Sequence, residues 1–404
     1  MTTTSPQVTS TAPAVSRPGP VEWLRKNLFS SWFSSLLTLL VVVLLGLFAR
    51  GLITWAITQA QWAVVPNNLA LFMTGLYPAE LYWRIWAILG LVVTLAGLSW
   101  GILGRNVATL FSRTVLILLG VICGAIALFP LTRPSSPKLL GMVVLTVATA
   151  WVGQQVSRRT PAVGRWLPLA WFLSYFVVLW LIAGGLGLEV VRTDKWGGLV
   201  LTLLMAITGI ALCFPIGVAL ALGRRSDLPV VRWLSVAYIE LVRGVPLIAI
   251  LFMGQVMIPL FLPEGARPDR IIRAIIALTL FSSAYLAENV RAGLQSVPRG
   301  QTEAAFSLGL NRPLTLAFII LPQALKVAIP AIVGQFISLF QDTTLLATLG
   351  LLELLGISQS ILANPSYIGR YAEVYLFIGV IYWFFCYAMS LGSRRIERQL
   401  NTGS

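Results

Sequence analysis

The residue types that do chemistry are few in this 404-residue sequence, and their placement narrows what they can do. There is no histidine, which removes histidine triads and histidine general bases. Cys123, Cys213 and Cys386 lie far apart inside apolar runs, where a thiol serves as a small packing group, and no Cys or His cluster suggests a metal site. A phosphate-binding loop needs Gly-Lys ahead of Ser or Thr; the lysines follow Arg25, Pro137, Asp194 and Leu325, so that nucleotide site is missing. What remains is a set of charged groups in or beside apolar segments: Glu240, Arg243, Glu288, Arg291 and Asp342, the last followed by Thr343. Ionisable groups in such places are costly and face a bundle interior or a water path. Two readings follow. These groups could contact the ammonium or carboxylate of a polar substrate along a pathway. Alternatively, Glu240 with Arg243 and Glu288 with Arg291 are structural ion pairs, since both stand three residues apart on a helix. The spacing favours the ion pairs.

The elements that must hold these groups are membrane-spanning helices. Hydrophobic residues make up 57% of the chain and charged residues 11%, against about 25% charged in a soluble domain. Too little polar material exists to cover a globule of this size in water, and lipid as solvent resolves the deficit. Roughly 20 apolar residues cross the hydrocarbon core. On that measure the expected fold is an all-α polytopic bundle of about ten spans, near 29–49, 85–103, 114–131, 139–156, 166–186, 198–222, 235–262, 271–290, 327–346 and 374–392. The loop 50–84, with Trp55, Trp62, Tyr77, Tyr82 and Trp83, is expected to lie along the membrane surface, where aromatic rings collect. The net charge of +15 comes from short basic clusters between apolar runs, which read as topology determinants and not as a nucleic-acid face. With the N-terminus inside, Arg25 and Lys26, Arg105 and Arg113, Arg158 and Arg159 with Arg165, Arg224 and Arg225, Arg299 and Arg312, and Arg394 and Arg395 with Arg398 fall on the cytoplasmic side, the tighter pairs among them. Arg84, Arg133, Lys138, Arg192, Lys195, Arg267, Arg270 and Arg370 fall outside. Both termini are therefore expected in the cytoplasm. Three regions result: a Thr-, Ser- and Pro-rich disordered cytoplasmic N-terminus over 1–28 without a signal-peptide pattern, an N-terminal transmembrane extension of about five spans over 29–195, and a core over 196–404.

One polar loop of that core, 291–326, falls on the cytoplasmic side. Within it Gln301 to Leu308 is helix-competent, with the Glu303 carboxylate in the first turn favoured by the helix dipole. Gly309 suits a left-handed stop, and Asn311 and Pro313 prevent continuation. Ala304 and Ala305 let another surface approach closely, so the loop predicts a short rigid helix fit for mechanical contact. A kink, or a hinge transmitting that contact, is expected where Pro322 and Pro330 flank the next span.

The spacing also carries a family resemblance. Glu303-Ala304-Ala305, three residues, Gly309, nine residues, Ile319, one residue, Leu321-Pro322 resembles the coupling loop of ABC importer permeases at every fixed position. Three further segments are similar to the polar amino acid branch of that family. They are Glu240 to Leu247 with Arg243-Gly244 and Pro246, Ala284-Tyr285 through Glu288 to Arg291, and Asp342-Thr343-Thr344-Leu345. Ala292, Gln341 and Thr344 depart from the usual Gly, Lys and Ser. Gly300-Gln301 leads into the loop as in the family. The resemblance covers about 196–400, and by length and hydropathy the N-terminal half resembles the extended general L-amino-acid permease subunits. It implies a type I importer core in which Gly300, Gln301, Glu303, Ala304, Ala305, Gly309 and Pro322 couple to ATPases. It implies as partners two ABC ATPase subunits using ATP and Mg, a homologous but different permease, an external amino-acid-binding protein and an amino acid substrate, all at a bacterial inner membrane. The chain itself would be no enzyme and would bind no cofactor. An ion-gradient-driven secondary amino acid transporter explains the spans and carboxylates equally well, but leaves the loop without a cause.

Overall fold

A computed structural model of the chain describes residues 19–104, 112–128 and 135–401. The expected disorder over 1–18, and Arg105 and Arg133 among the topology charges, lie outside the described residues. Pro20–Asn27, the end of the segment expected to be disordered, is helical, with proline at its first turn.

Compactness divides the chain into Met1–Gln61 and Trp62–Ser404. The first unit is dominated by α1 (Trp32–Thr58), an uncharged leucine- and valine-rich run broken only by Arg50. Ser31 caps its start by accepting from the Ser34 N–H at 3.2 Å. None of its residues is buried within the described structure.

The second unit holds α2 (Tyr82–Leu103), α3 (Arg113–Leu128), α4 (Ser136–Arg159), α5 (Leu167–Ala183), α6 (Gly198–Arg224), α7 (Pro229–Gly244), α8 (Arg270–Ser296), α9 (Arg299–Ser307), α10 (Leu321–Asp342), α11 (Leu354–Leu362) and α12 (Tyr371–Asn401). Helices carry the described residues apart from turns and isolated bridges, as lipid demands of a spanning chain. Among the described residues eight helices are long and apolar enough to cross a membrane, and nine if a bent pair counts as one span. The span expected near 114–131 begins as α3, of which 16 residues are described.

The bent pair corrects the uninterrupted span expected over 235–262. Pro229–Gly244 and Leu247–Phe261 meet at 103°. The cause is local. Pro246 has no N–H to give and forces the preceding Val245 out of helical geometry, to φ −107° and ψ 136°. A π turn over Met253–Met257 follows in the second limb, and another over Leu316–Ile320 leads into α10.

The surface loop expected over 50–84 is also corrected. α1 continues to Thr58, and two short helices, Val64–Asn67 and Leu69–Thr74, then turn inward. Val64, Val65 and Phe72 are buried among Leu354, Ile357, Ile361, Val374 and Ile378 of α11 and α12. Both ends of the stretch 62–195, near 64–81 and 182–191, therefore pack against residues of 196–404. A second shared cluster joins Tyr77, Leu81, Ile182 and Val191 to Leu201, Leu204, Leu251 and Ile271.

The centre of the second unit is α8, which packs against α6 and α10 through missing side chains. A Cβ on Gly217 of α6 would lie 2.5 Å from Leu286, and one on Gly293 of α8 would lie 2.4 Å from the Ala324 carbonyl. Close backbone approach of this kind is how helices associate where lipid removes the hydrophobic drive. These three helices start near Gly198, Arg270 and Leu321 and set the two ends of the bundle.

Candidate functional site

The sequence places its chemistry at the end of the bundle where α8 finishes. There α9 occupies Arg299–Ser307, matching the expected coupling helix to within two residues. Pro298 precedes it in extended geometry. Gly309 takes φ +79° and closes it, with the Gly309 N–H donating to Phe306 O at 2.9 Å and the Leu310 N–H to Ala305 O at 3.1 Å. The Asn311 side chain then accepts from the Leu314 N–H at 3.0 Å and starts the next helix, Arg312–Thr315, with Pro313 in its first turn.

The faces of α9 sort the predicted residues. Ala305 is buried and seats the helix on the bundle, whereas Gly300, Gln301, Glu303 and Ala304 are exposed. Glu303 makes no ion pair among the described residues, and the Ser307 hydroxyl donates to its carbonyl at 3.0 Å. Gln323 Nε2 donates to Gln301 Oε1 at 3.3 Å and, beside Pro322, ties the start of α10 to α9. Arg312 pairs with Asp227 in the turn between α6 and α7. Phe306 and Leu308 add large apolar side chains that sequence reasoning passed over, with Leu308 81% exposed. Their signal was two hydrophobes in a polar loop. They add apolar area to the exposed side of this segment, beside Glu303 and Ala304.

Two turns above this helix, four of the six expected pathway residues converge. Glu288 of α8, its side chain 14% exposed, is the hub. Arg291 donates to Glu288 Oε2 from Nε at 2.9 Å and from Nη2 at 2.7 Å. Arg224 Nη1 reaches Glu288 Oε1 at 2.7 Å and Glu240 Oε1 at 3.0 Å. Arg243 stands at 3.7 Å from Glu288 Oε2, with its guanidinium 5.5 Å from the Tyr285 ring centroid. The expected Glu288–Arg291 pair is thus formed. Glu240 pairs with Arg224 instead of Arg243, because the α6 terminus brings Arg224 between α7 and α8. Sequence reasoning had placed Arg224 among the topology charges, and no local signal marks it as a partner of residues 16 and 64 positions away.

Asp342 and Thr343 do not join this cluster. They lie at the opposite end of α10, eleven residues beyond Ala331, whose carbonyl accepts from Asn289 at 3.2 Å, and so about 16 Å further along the helix. Thr343 is buried and donates to Phe340 O at 2.7 Å. Near that end stands a carboxylate that sequence reasoning missed. Glu353, fully buried, starts α11 by accepting from Gly356 N at 2.8 Å and Leu355 N at 2.9 Å, and Tyr382 donates to it at 3.2 Å. Thr202 of α6 lies within 3.4 Å. Burial pushes its carboxyl up to about 7, against the pull of these donors. A lone carboxylate inside Leu-Leu-Glu-Leu-Leu was the available signal. Among the described residues no group of three or more Cys, Asp or Glu could hold a metal ion.

The chain as a whole is similar to known proteins. Residues 213–402 match the family described as binding-protein-dependent transport system inner membrane component. The chain is 40% identical over 399 residues to the inner membrane amino-acid ABC transporter permease protein YhdY of Escherichia coli strain K12, covering 94% of this chain and 93% of that one. It is 34% identical over 423 residues to the glutamate/glutamine/aspartate/asparagine transport system permease protein BztC of Rhodobacter capsulatus, covering 96% and 95%. Among solved structures, one described as an amino acid ABC transporter with histidines matches at 27% identity and a TM-score of 0.46, covering 58% of this chain and 98% of that one. Full-length similarity at this level shows that the chain belongs to the permease components of binding-protein-dependent ABC transport systems.

Proposed function

We propose that this permease moves polar L-amino acids into the cytoplasm, energised by two separate ATPase subunits that use ATP and Mg. The observation that carries the reading is α9, a helix clamped at both ends that presents Glu303, Ala304, Phe306 and Leu308 to a partner while Ala305 seats it on the bundle. ATP-driven closure of the ATPases draws on α9 and, through Gln323 and the π turn before α10, on the spans. The amino acid class follows from the full-length relatives, which are amino acid permeases. An external binding protein delivers the substrate, and a homologous but different permease completes the pathway. Both chain termini then face the cytoplasm in a bacterial inner membrane, with α9 on that side.

The charge cluster around Glu288 acts as a latch that ties α6, α7 and α8 together at the inner end. Arg243, the most loosely held of its guanidiniums, and Asp342 at the other end of α10 are the pathway groups with donors or acceptors to spare for substrate.

The test is uptake by the assembled transporter in vesicles. Glu303→Lys is expected to abolish ATP-driven uptake while the binding protein still captures its amino acid, and normal uptake by that variant removes α9 from the coupling role. Uptake that follows an imposed ion gradient without ATP would instead support a secondary transporter.

A further inference from the structure

The end of the bundle opposite α9 holds a cavity of about 520 Å³, a volume suited to a small ligand. It lies about 40 Å from α9, the length of α8. Four chain segments line it: 192–196, which joins the N-terminal extension to α6, Leu201 of α6, the start of α8, and 350–352 ahead of α11. These walls are pinned to one another. The Thr193 hydroxyl donates to Asp269 Oδ2 at 2.5 Å, and Asp269 Oδ1 caps α8 at the Ile271 N–H at 2.8 Å. Arg270 Nη2 donates to Gly350 O at 2.6 Å, and the Gly198 N–H to Leu352 O at 2.8 Å. The cavity is therefore preorganised.

Its chemistry is layered. The rim carries two guanidiniums, Arg192 and Arg270, and two carboxylates, Asp194 and Asp269, and so no net charge. The floor is apolar, built from Leu201, Ile271 and Leu351, all buried. Arg192 and Asp194 meet only at 3.4 Å, with side chains 84% and 53% exposed. An exposed pair of that geometry holds itself weakly, so both groups are free to turn to a ligand. A balanced rim selects neither a simple anion nor a simple cation. It complements a molecule that carries both charges a few ångströms apart.

We propose that this cavity is a receiving site for a free zwitterionic α-amino acid ahead of the transmembrane pathway. Arg192 and Arg270 take the α-carboxylate, Asp194 takes the α-ammonium, and the side chain rests on the apolar floor. With no polar group on that floor to read the side chain, the site recognises the two backbone charges and tolerates different side chains. The segment 192–196 gives the N-terminal extension a direct part in the site. The inference rests on the amino acid reading above and adds to it a second place of contact, remote from the cluster around Glu288.

The test uses the full chain in lipid nanodiscs without the binding protein, titrated with L-glutamine, N-acetyl-glutamine and glutamine α-amide by calorimetry. Saturable binding of L-glutamine is expected, weakened about tenfold by Arg192→Ala or by Asp194→Ala, each the loss of about one charge-assisted contact. The acetylated and amidated ligands are expected to bind weakly for the same reason. Neither variant touches a wall-pinning bond, and an unchanged thermal unfolding curve separates lost binding from lost fold. Binding that is absent in the wild type, unaltered in both variants, or indifferent to amidation overturns the receiving site. Uptake by the complete transporter separates the two ideas. If the wild type imports amino acids and the KM of the Arg192→Ala, Asp194→Ala double variant is unchanged, the receiving site alone fails. If the wild type imports none, the amino acid reading itself fails.

Discussion

At the scale of single residues, Glu288 is asked to satisfy three guanidiniums, and removing it should cost far more than removing any one of them. Glu288→Gln leaves Arg224, Arg243 and Arg291 crowded without their main acceptor, and a loss of ~3 kcal/mol is expected, the size seen when one partner of a largely buried pair is removed. Arg243→Gln, at 3.7 Å, should cost under ~1 kcal/mol. Denaturation of the purified chain in detergent compares the two, and equal losses would show that the hub is not Glu288. Glu353 makes a pH prediction. Burial raises its carboxyl to about 7 in the folded chain, above the unfolded value of about 4.3. The folded state then favours the protonated form, so the stability this group contributes is full below about 4.3 and is lost as pH rises through about 7, ~4 kcal/mol in all. Thermal unfolding between pH 4.5 and 8 should show the decline in the wild type and a flatter curve in Glu353→Gln. Which of these residues the sequence disclosed depends on range. Glu288–Arg291 is a neighbour pair on one helix and could be read from spacing. Arg224 and Glu353 take their meaning from helices far along the chain, which spacing does not encode.

At the scale of elements, α9 is the case where local rules suffice. Its start, its stop at Gly309 and the cap at Asn311 are all set within about a dozen residues, and the structure shifts its start by only two. Gly309→Ala places a Cβ at φ +79°, where only glycine is at ease, and should loosen the helix end by ~1–2 kcal/mol. Its expected signature is lower ATP-driven uptake with the rest of the fold intact by circular dichroism. Phe306→Ser with Leu308→Ser should weaken co-purification of the ATPase while leaving the permease folded. The broken span over Pro229–Phe261 shows the limit of hydropathy. An averaging window reads one apolar run, whereas the backbone constraint that Pro246 places on Val245 makes two helices of it.

At the scale of the molecule, the burial of Val64, Val65 and Phe72 against α11 and α12 decides how the N-terminal region can be cut. Nothing in the aromatic-rich stretch 50–84 signals that burial, because its partners lie some 300 residues away and composition there suits a membrane surface equally well. Truncation of residues 1–61 should leave the remainder folded, since Trp62–Ser404 is compact by itself. Extending the truncation through Gly75 uncovers Leu354, Ile357 and Val374, and a loss of several kcal/mol is expected from three buried side chains at ~2 kcal/mol each. Unfolding temperatures of the two truncations in one detergent check this, and equal stability would show that the short helices are ornament.

α8 carries neither a proline nor a π turn over its 27 residues, whereas the limb beginning at Pro229 breaks at Val245 and α10 is entered through a π turn. In a machine this is the difference between a push-rod and a joint. A movement of the inner end of α8 reaches its outer end without bending of the helix, and the neighbouring helices take up the difference. The stroke of this permease is then carried by one stiff member, and its yield by the break at Pro246 and two widened turns.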